Sequence, residues 1–205
     1  MTSPKKPEPC TGCGFRYQCI CPLIPGLDPD WHLALLTHPN ELTRDTNTGK
    51  LLEKILTNCQ IHIWDRVNPP KELLQQISSG EYQPILLFPT EESIPLDEYT
   101  GKSAPTKPYL FIILDSTWQE AQKMLRKSPW IQALPAVHFS GELESGYQLR
   151  RNQKKGNLCT FEVGVELIKI LNGKKETEKL TEFFNHYLSV FSADKSGHEY
   201  TLKQQ

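Results

Sequence analysis

The sequence contains no apolar stretch near the ~20 residues that a membrane-spanning helix needs, which argues against an integral helical membrane protein. Its Met-Thr-Ser-Pro-Lys-Lys start lacks the apolar core of a secretion signal, so a soluble, cytoplasmic protein with no membrane partner is expected. Net charge is nearly absent too, at -1 for 205 residues, which excludes a globally basic nucleic-acid binder. Local clusters at Lys123, Arg126, Lys127 and at Arg150, Arg151, Lys154, Lys155 still leave room for a basic face. There is no internal repeat. A hydrophobic content of 38% is enough for one sizeable core, so the natural expectation is one α/β domain with a small appended module.

Cysteine is scarce except at one place. Cys10, Cys13, Cys19 and Cys21 form a C-x2-C-x5-C-x-C cluster, and only Cys59 and Cys159 lie elsewhere, where buried packing is their default role. In a chain without an export signal the cluster is not expected to form disulfides. Two close pairs supply four thiolates for a tetrahedral ion, and an all-cysteine set favours a closed structural zinc site over an open catalytic one. The spacing is not that of a common zinc finger, so free or redox-active thiols stay open as the other reading.

The organising stretch is Tyr109-Leu-Phe-Ile-Ile-Leu114-Asp115-Ser116-Thr117-Trp118. An apolar run without alternation predicts a central parallel strand buried on both faces. Asp115 then stands at its carboxyl end, the edge where open α/β sheets bind ligands. Thr117 with Glu120, or Ser116 with Gln119, offers a capping box for the helix that follows. In that helix Trp118, Ala121 and Leu125 share a face, while Lys123, Arg126 and Lys127 fall on or near the opposite one. Asp115 itself can be read as the helix N-cap, and Trp118 is by default a core anchor. A strand ending in Asp also opens the haloacid-dehalogenase pattern, but Thr117 stands where that chemistry needs a second Asp.

Further strands are expected at Trp31 to His38, Ile61 to Trp64, Pro84 to Pro89 and Ala136 to Phe139. Helices are expected after Thr48-Gly49, around Leu73 to Ile77, after Thr160 and through Leu180 to Phe191. Residues 41 to 47 and 92 to 108 read as loop, and residues from Ser192 onward as a frayed tail. The alternation predicts a mostly parallel sheet flanked by helices. The stripe of Leu180, Phe183, Phe184, Tyr187, Leu188 and Phe191 reads as core packing ahead of a dimer surface, so a monomer is favoured. The Asn47-Thr48-Gly49 turn could cradle a ligand or simply start a helix, and His38 reads as a polar residue at a strand end. Tyr147 beside Arg150 and Arg151 could stack a base and neutralise phosphate, or lie in a solvated loop.

Asp115-Ser116-Thr117-Trp118 resembles the D-x-T-W signature of the DTW-domain proteins. The resemblance extends, in order, through the cysteine cluster, His38-Pro39-x-Glu41, Asn47-Thr48-Gly49-Lys50-Leu51, Leu87-Phe88-Pro89 and Thr160-x-Glu162, about residues 10 to 190. It implies a SPOUT-like α/β fold with the knot of that class. The implied domains are an N-terminal four-cysteine zinc module at 1–25, a catalytic domain at 26–191 and a flexible tail at 192–205. The implied activity is a tRNA-uridine aminocarboxypropyltransferase, which moves the 3-amino-3-carboxypropyl group of S-adenosylmethionine onto the uridine ring nitrogen between the two carbonyls. Methylthioadenosine is the implied by-product. Ser116 departs from the Gly common at the second signature position, but a small residue is kept.

Carried over residue by residue, the resemblance implies Asp115, Thr117 and Trp118 as catalytic. Phe88, Pro89, Thr90, Leu114, Ser116, Leu158, Thr160 and Glu162 are implied to hold S-adenosylmethionine. Arg44, Lys50, Lys123, Arg126, Arg150 and Arg151 are the candidates for the RNA backbone. The chemistry has its own logic, because uridine's ring N–H is a poor nucleophile until a positioned carboxylate removes its proton. The donor's methyl and γ-carbons are both electrophilic, so orientation decides which group transfers. Two alternatives stay open: a SPOUT-type RNA methyltransferase, and a non-catalytic zinc-containing RNA-binding protein.

Overall fold

The computed structural model describes residues 6–102, 105–141, 145–147 and 158–201. The chain divides into two compact units, Gly26–Asn172 and Met1–Pro25 with Gly173–Gln205.

The first unit holds six strands: β1 (His32–Thr37), β2 (Cys59–Ile63), β3 (Gln83–Leu87), β4 (Ile94–Pro95), β5 (Tyr109–Asp115) and β6 (Ala136–His138). They form one sheet in the order β2-β1-β5-β3-β6-β4, and every pairing is parallel. All seven residues of β5 are buried. Successive strand side chains point to opposite faces, so a strand buried throughout is covered on both sides, as its unbroken apolar run predicts. β2 at the sheet edge mixes buried and exposed positions instead. β1 and β5 lie side by side with Thr37 opposite Asp115, so the two strands end at the same level.

The helices of this unit are α1 (Pro39–Leu42), α2 (Gly49–Ile55), α3 (Lys71–Ser78), α4 (Leu96–Gly101), α5 (Trp118–Arg126), α6 (Pro129–Gln132) and α7 (Thr160–Asn172). Three elements correct the expected loops: α1 reaches into 41 to 47, and β4 and α4 fall in 92 to 108. Elements of two to six residues are too short to carry a period, and Pro39 and Pro95 read as breakers. At α5 the structure chooses between the offered caps. Thr117 accepts from the Glu120 N–H while Glu120 accepts from the Thr117 N–H, so the N-cap is Thr117 and not Asp115. α7 approaches α2 closely because Gly164 has no side chain. A Cβ there would lie 2.5 Å from Leu52 Cδ2.

The second unit comprises a short 3-10 turn at Cys21–Leu23 and α8 (Lys174–Ser196). The expected boundary at 191/192 falls inside α8, which runs on to a left-handed Gly197 that ends the helix. The apolar stripe of α8 is largely buried, and Phe15 of the cysteine loop packs on it, 5.4 Å from Tyr187 and 6.3 Å from Phe191. Asp194 accepts the Arg16 and Tyr17 N–H groups at 2.6 and 2.9 Å. No described helix is long and apolar enough to cross a membrane.

Candidate active site

Asp115 is 2% exposed and is held by three neutral donors. Its Oδ2 accepts from Thr37 Oγ1 at 3.0 Å and Asn47 Nδ2 at 2.9 Å, and its Oδ1 accepts from Thr160 Oγ1 at 2.7 Å. One carboxylate therefore joins the end of β1, the turn before α2 and the first residue of α7. Burial pushes its pKa above the ordinary carboxylate value, and nearby Glu41 adds to the rise; the three hydrogen bonds oppose it without overcoming it. Gly49 lies against the same carboxylate, where a Cβ would sit 2.9 Å from Asp115 Cγ and Oδ2. Gly49→Ala should therefore cost about 1–3 kcal/mol through overpacking. Thermal unfolding reads this directly, and an unchanged melting temperature would mean that the carboxylate has room to move.

A second group of charges lies behind the first. Glu41, 1% exposed, takes Asn47 Nδ2 at 3.3 Å, so one amide bridges two buried carboxylates. Arg44 pairs with Glu41 and forks onto Glu120 at 2.9 and 3.1 Å, and Asn40 adds a bond to Glu120 at 2.8 Å. Burial works to raise Glu120, but Arg44, Thr117 and Asn40 hold its carboxyl well below the usual range. His38 accepts from the Asn40 N–H through Nδ1 and stacks on Trp64 at 5.4 Å. Its backbone N–H donates to the Asp115 carbonyl at 3.0 Å.

Trp118 corrects the core-anchor expectation: it is 44% exposed and lies flat on Phe88, with ring centroids 5.0 Å apart and planes 22° from parallel. The signature thus places an open aromatic surface three residues beyond a buried acid. Glu162, implied to hold the donor, lies in the first turn of α7. Its oxygens accept Gly146 N, Tyr147 N, Ser145 Oγ and Cys159 N at 2.7 to 3.1 Å, which pins the 145–147 segment to the start of α7. Tyr147 is buried, and its hydroxyl donates to the Thr46 carbonyl at 2.7 Å. The guanidinium of Arg44, a candidate for the RNA backbone, is engaged by the carboxylates of Glu41 and Glu120. Leu114 packs in the core, so only its backbone can face a ligand. Ser116 keeps the turn without a left-handed backbone, and no described residue other than glycine has a positive φ.

Pro89, Thr90, Leu158 and Ser116 lie at or just past strand and helix ends and are half-buried or exposed. Lys50, Lys123 and Arg126 are exposed. Arg150 and Arg151 lie outside the described residues. Sequence reasoning missed Thr37 as a partner of Asp115, the burial of Glu41, the pairing of Glu120 with Arg44 and the close approach of Gly49. Gly49 carried a signal in the Asn47-Thr48-Gly49 turn, Glu120 in its capping box and Glu41 in the His38-Pro39-x-Glu41 segment, but none of these names the partner, and Thr37 carried none. Burial raises the Cys59 thiol and pushes Cys159 up to about 12, as expected for packed thiols.

In the other unit the sulfurs of Cys10, Cys13, Cys19 and Cys21 all lie within 4.8 Å of one another, an arrangement that could hold a metal ion. Cys10 Sγ is 3.6 Å from Cys19 Sγ and 3.7 Å from Cys21 Sγ. Tetrahedral thiolates at ~2.3 Å from a shared ion would stand at about such separations. The Cys13 and Gly12 N–H groups draw the Cys10 thiol down to about 6, whereas its neighbours, Cys19 foremost, push Cys21 up to about 12. Four crowded thiols cannot all ionise without a cation among them.

A family model described as the DTW domain matches residues 7–192. The chain is 25% identical over 193 residues to the tRNA-uridine aminocarboxypropyltransferase 2 of Drosophila melanogaster, covering 91% of this chain and 75% of that protein. The proteins of the same name from Macaca fascicularis and Mus musculus are each 26% identical over 172 residues, covering 82% of this chain. The chain spans only 57% of the length of each of these two. No solved structure matches it. With its signature at the end of β5 and a family match over most of its length, the chain belongs to the DTW-domain family.

Proposed function

We propose that this chain is a tRNA-modifying transferase that moves the 3-amino-3-carboxypropyl group of S-adenosylmethionine onto the ring nitrogen of a uridine, releasing methylthioadenosine. The names of its relatives support tRNA modification and transferase activity. The observation that carries the chemistry is the Asp115 carboxylate: buried, held by neutral donors, and raised in pKa at the shared end of two parallel strands. A raised pKa brings a carboxylate closer to the proton affinity a general base needs near neutrality. Trp118 on Phe88 offers a flat apolar face beside it, suited to a purine or pyrimidine ring.

In this reading Phe88, Pro89, Thr90, Ser116 and the backbone of Leu114 and of the Leu158 to Thr160 segment hold the donor, and orientation presents its γ-carbon. Glu162 shapes that segment without touching the donor, and Thr117 sets the direction of α5 through its capping box. Lys50, Lys123 and Arg126 hold the RNA backbone, together with Arg150 and Arg151 from the sequence reading. The sheet is read as SPOUT-like and knotted, as the family resemblance implies, and its six parallel strands flanked by helices agree with that α/β class. Cys10, Cys13, Cys19 and Cys21 would hold one structural zinc, which supplies rigidity and no step of the reaction. A cytoplasmic monomer completes the reading.

The test follows the spent donor. Purified protein incubated with S-adenosylmethionine and unmodified tRNA should release methylthioadenosine. Release of S-adenosylhomocysteine instead would make it a methyltransferase, and RNA binding without any donor turnover would make it a non-catalytic binder.

A further inference from the structure

Asp115 is 2% exposed, and the residues around it are not equally buried. Thr37, at 2% exposure, and Asn47, at 6%, are as enclosed as the acid they serve. Thr160 is half-buried, and its hydroxyl donates to Asp115 Oδ1 at 2.7 Å. Oδ2 already accepts two bonds, while from the described residues Oδ1 accepts one. A carboxylate oxygen carries two lone pairs, so Oδ1 has capacity for a proton. Thr160 is also the first residue of the thirteen-residue α7, where the positive end of the helix favours an oxygen carrying negative charge. Of the three donors on Asp115, Thr160 is thus the one carried by a residue that is only half-buried.

We propose that Thr160 is a catalytic residue: its Oγ1 takes the uridine ring proton while its own proton passes to Asp115 Oδ1. This deepens the transfer reading above and rests on it. In the balanced step the ring N–H bond breaks and a new Oγ1–H bond forms, while the old Oγ1–H bond breaks and Oδ1–H forms. The freed nitrogen pair makes the bond to the γ-carbon, and the C–S pair returns to sulfur. The positive sulfonium and the negative carboxylate both end neutral, as methylthioadenosine and protonated Asp115. The hydroxyl leaves the step unchanged.

Thr160→Val keeps the shape and removes the hydroxyl; Thr160→Ser keeps the hydroxyl and removes a methyl. Single-turnover transfer, KM for S-adenosylmethionine and the melting temperature are measured on the full chain for wild type and both variants. The relay predicts a loss of about 10²–10⁴-fold in the rate for Thr160→Val, with KM and melting temperature near wild type and the rate within about tenfold restored by Thr160→Ser. A Thr160→Val protein that turns over at the wild-type rate would overturn the relay alone. Equal losses in both variants, with a raised KM, would overturn it in favour of a donor-binding side chain. No transfer by wild type would overturn the transfer reading and the relay with it.

Discussion

Asp115→Asn is expected to reduce transfer by about 10²–10⁴-fold while leaving the melting temperature equal to or above that of wild type. The amide keeps the shape and one acceptor. Its carbonyl can take the Thr37 and Asn47 donors, and its NH2 would face Thr160, whose hydroxyl can turn to accept. What it removes is a buried negative charge whose hydrogen-bond donors are all neutral. The sign follows from linkage. Burial raises the folded pKa of Asp115 above its unfolded value. The folded state therefore holds this proton more tightly, and stability is greatest below the unfolded pKa and is lost as pH rises through the folded one. The variant lacks that loss, so its advantage in thermal unfolding should grow with pH across this window. A variant that melts well below wild type at neutral pH would mean that the charge stabilises the fold.

Removing metal from the cysteine cluster is expected to unfold the unit formed by Met1–Pro25 and Gly173–Gln205. Structural zinc in small thiolate sites is worth ~10–16 kcal/mol at neutral pH, more than a short loop can replace by packing. Phe15 and the Arg16 and Tyr17 N–H groups are positioned on α8 by that loop, so amide exchange in α8 should accelerate on chelation. Gly12→Ala is the gentler version, because a Cβ there would stand 2.5 Å from Cys21 Sγ. Metal analysis should give about one zinc per chain in wild type and markedly less in Gly12→Ala. A metal-free protein that melts like the metal-loaded one would remove zinc from the account.

The parts legible in the sequence are those whose signal is local. β5 showed itself as an uninterrupted apolar run, Asp115 as the polar residue that ends it, and the thiol cluster as close pairs of cysteines. The partners of both lie far along the chain. That Thr37 stands opposite Asp115 depends on β1 pairing with β5, which no spacing encodes. That the cysteine loop packs on α8 joins the two ends of the sequence in the same way. Glu41 sits in a four-residue helix with no period to read, and nothing in a polar loop announces a carboxylate that will be 1% exposed. The long-range partners of Arg44 and Glu162, Glu120 and the backbone of Gly146 and Tyr147, are brought to them only by the fold. An aromatic on a helical face is usually buried, but the position of Trp118 in the first turn of α5 puts it on Phe88 at the surface.

In the proposed reaction an aminocarboxypropyl group ends on a uridine. Unmodified tRNA incubated with the purified protein and S-adenosylmethionine, then digested and resolved by nucleoside mass spectrometry, tests this most directly. The account predicts a uridine heavier by one aminocarboxypropyl group, formed in step with methylthioadenosine and lost in Asp115→Asn. A methylated nucleoside, or unmodified uridine throughout while the donor is bound, would contradict it.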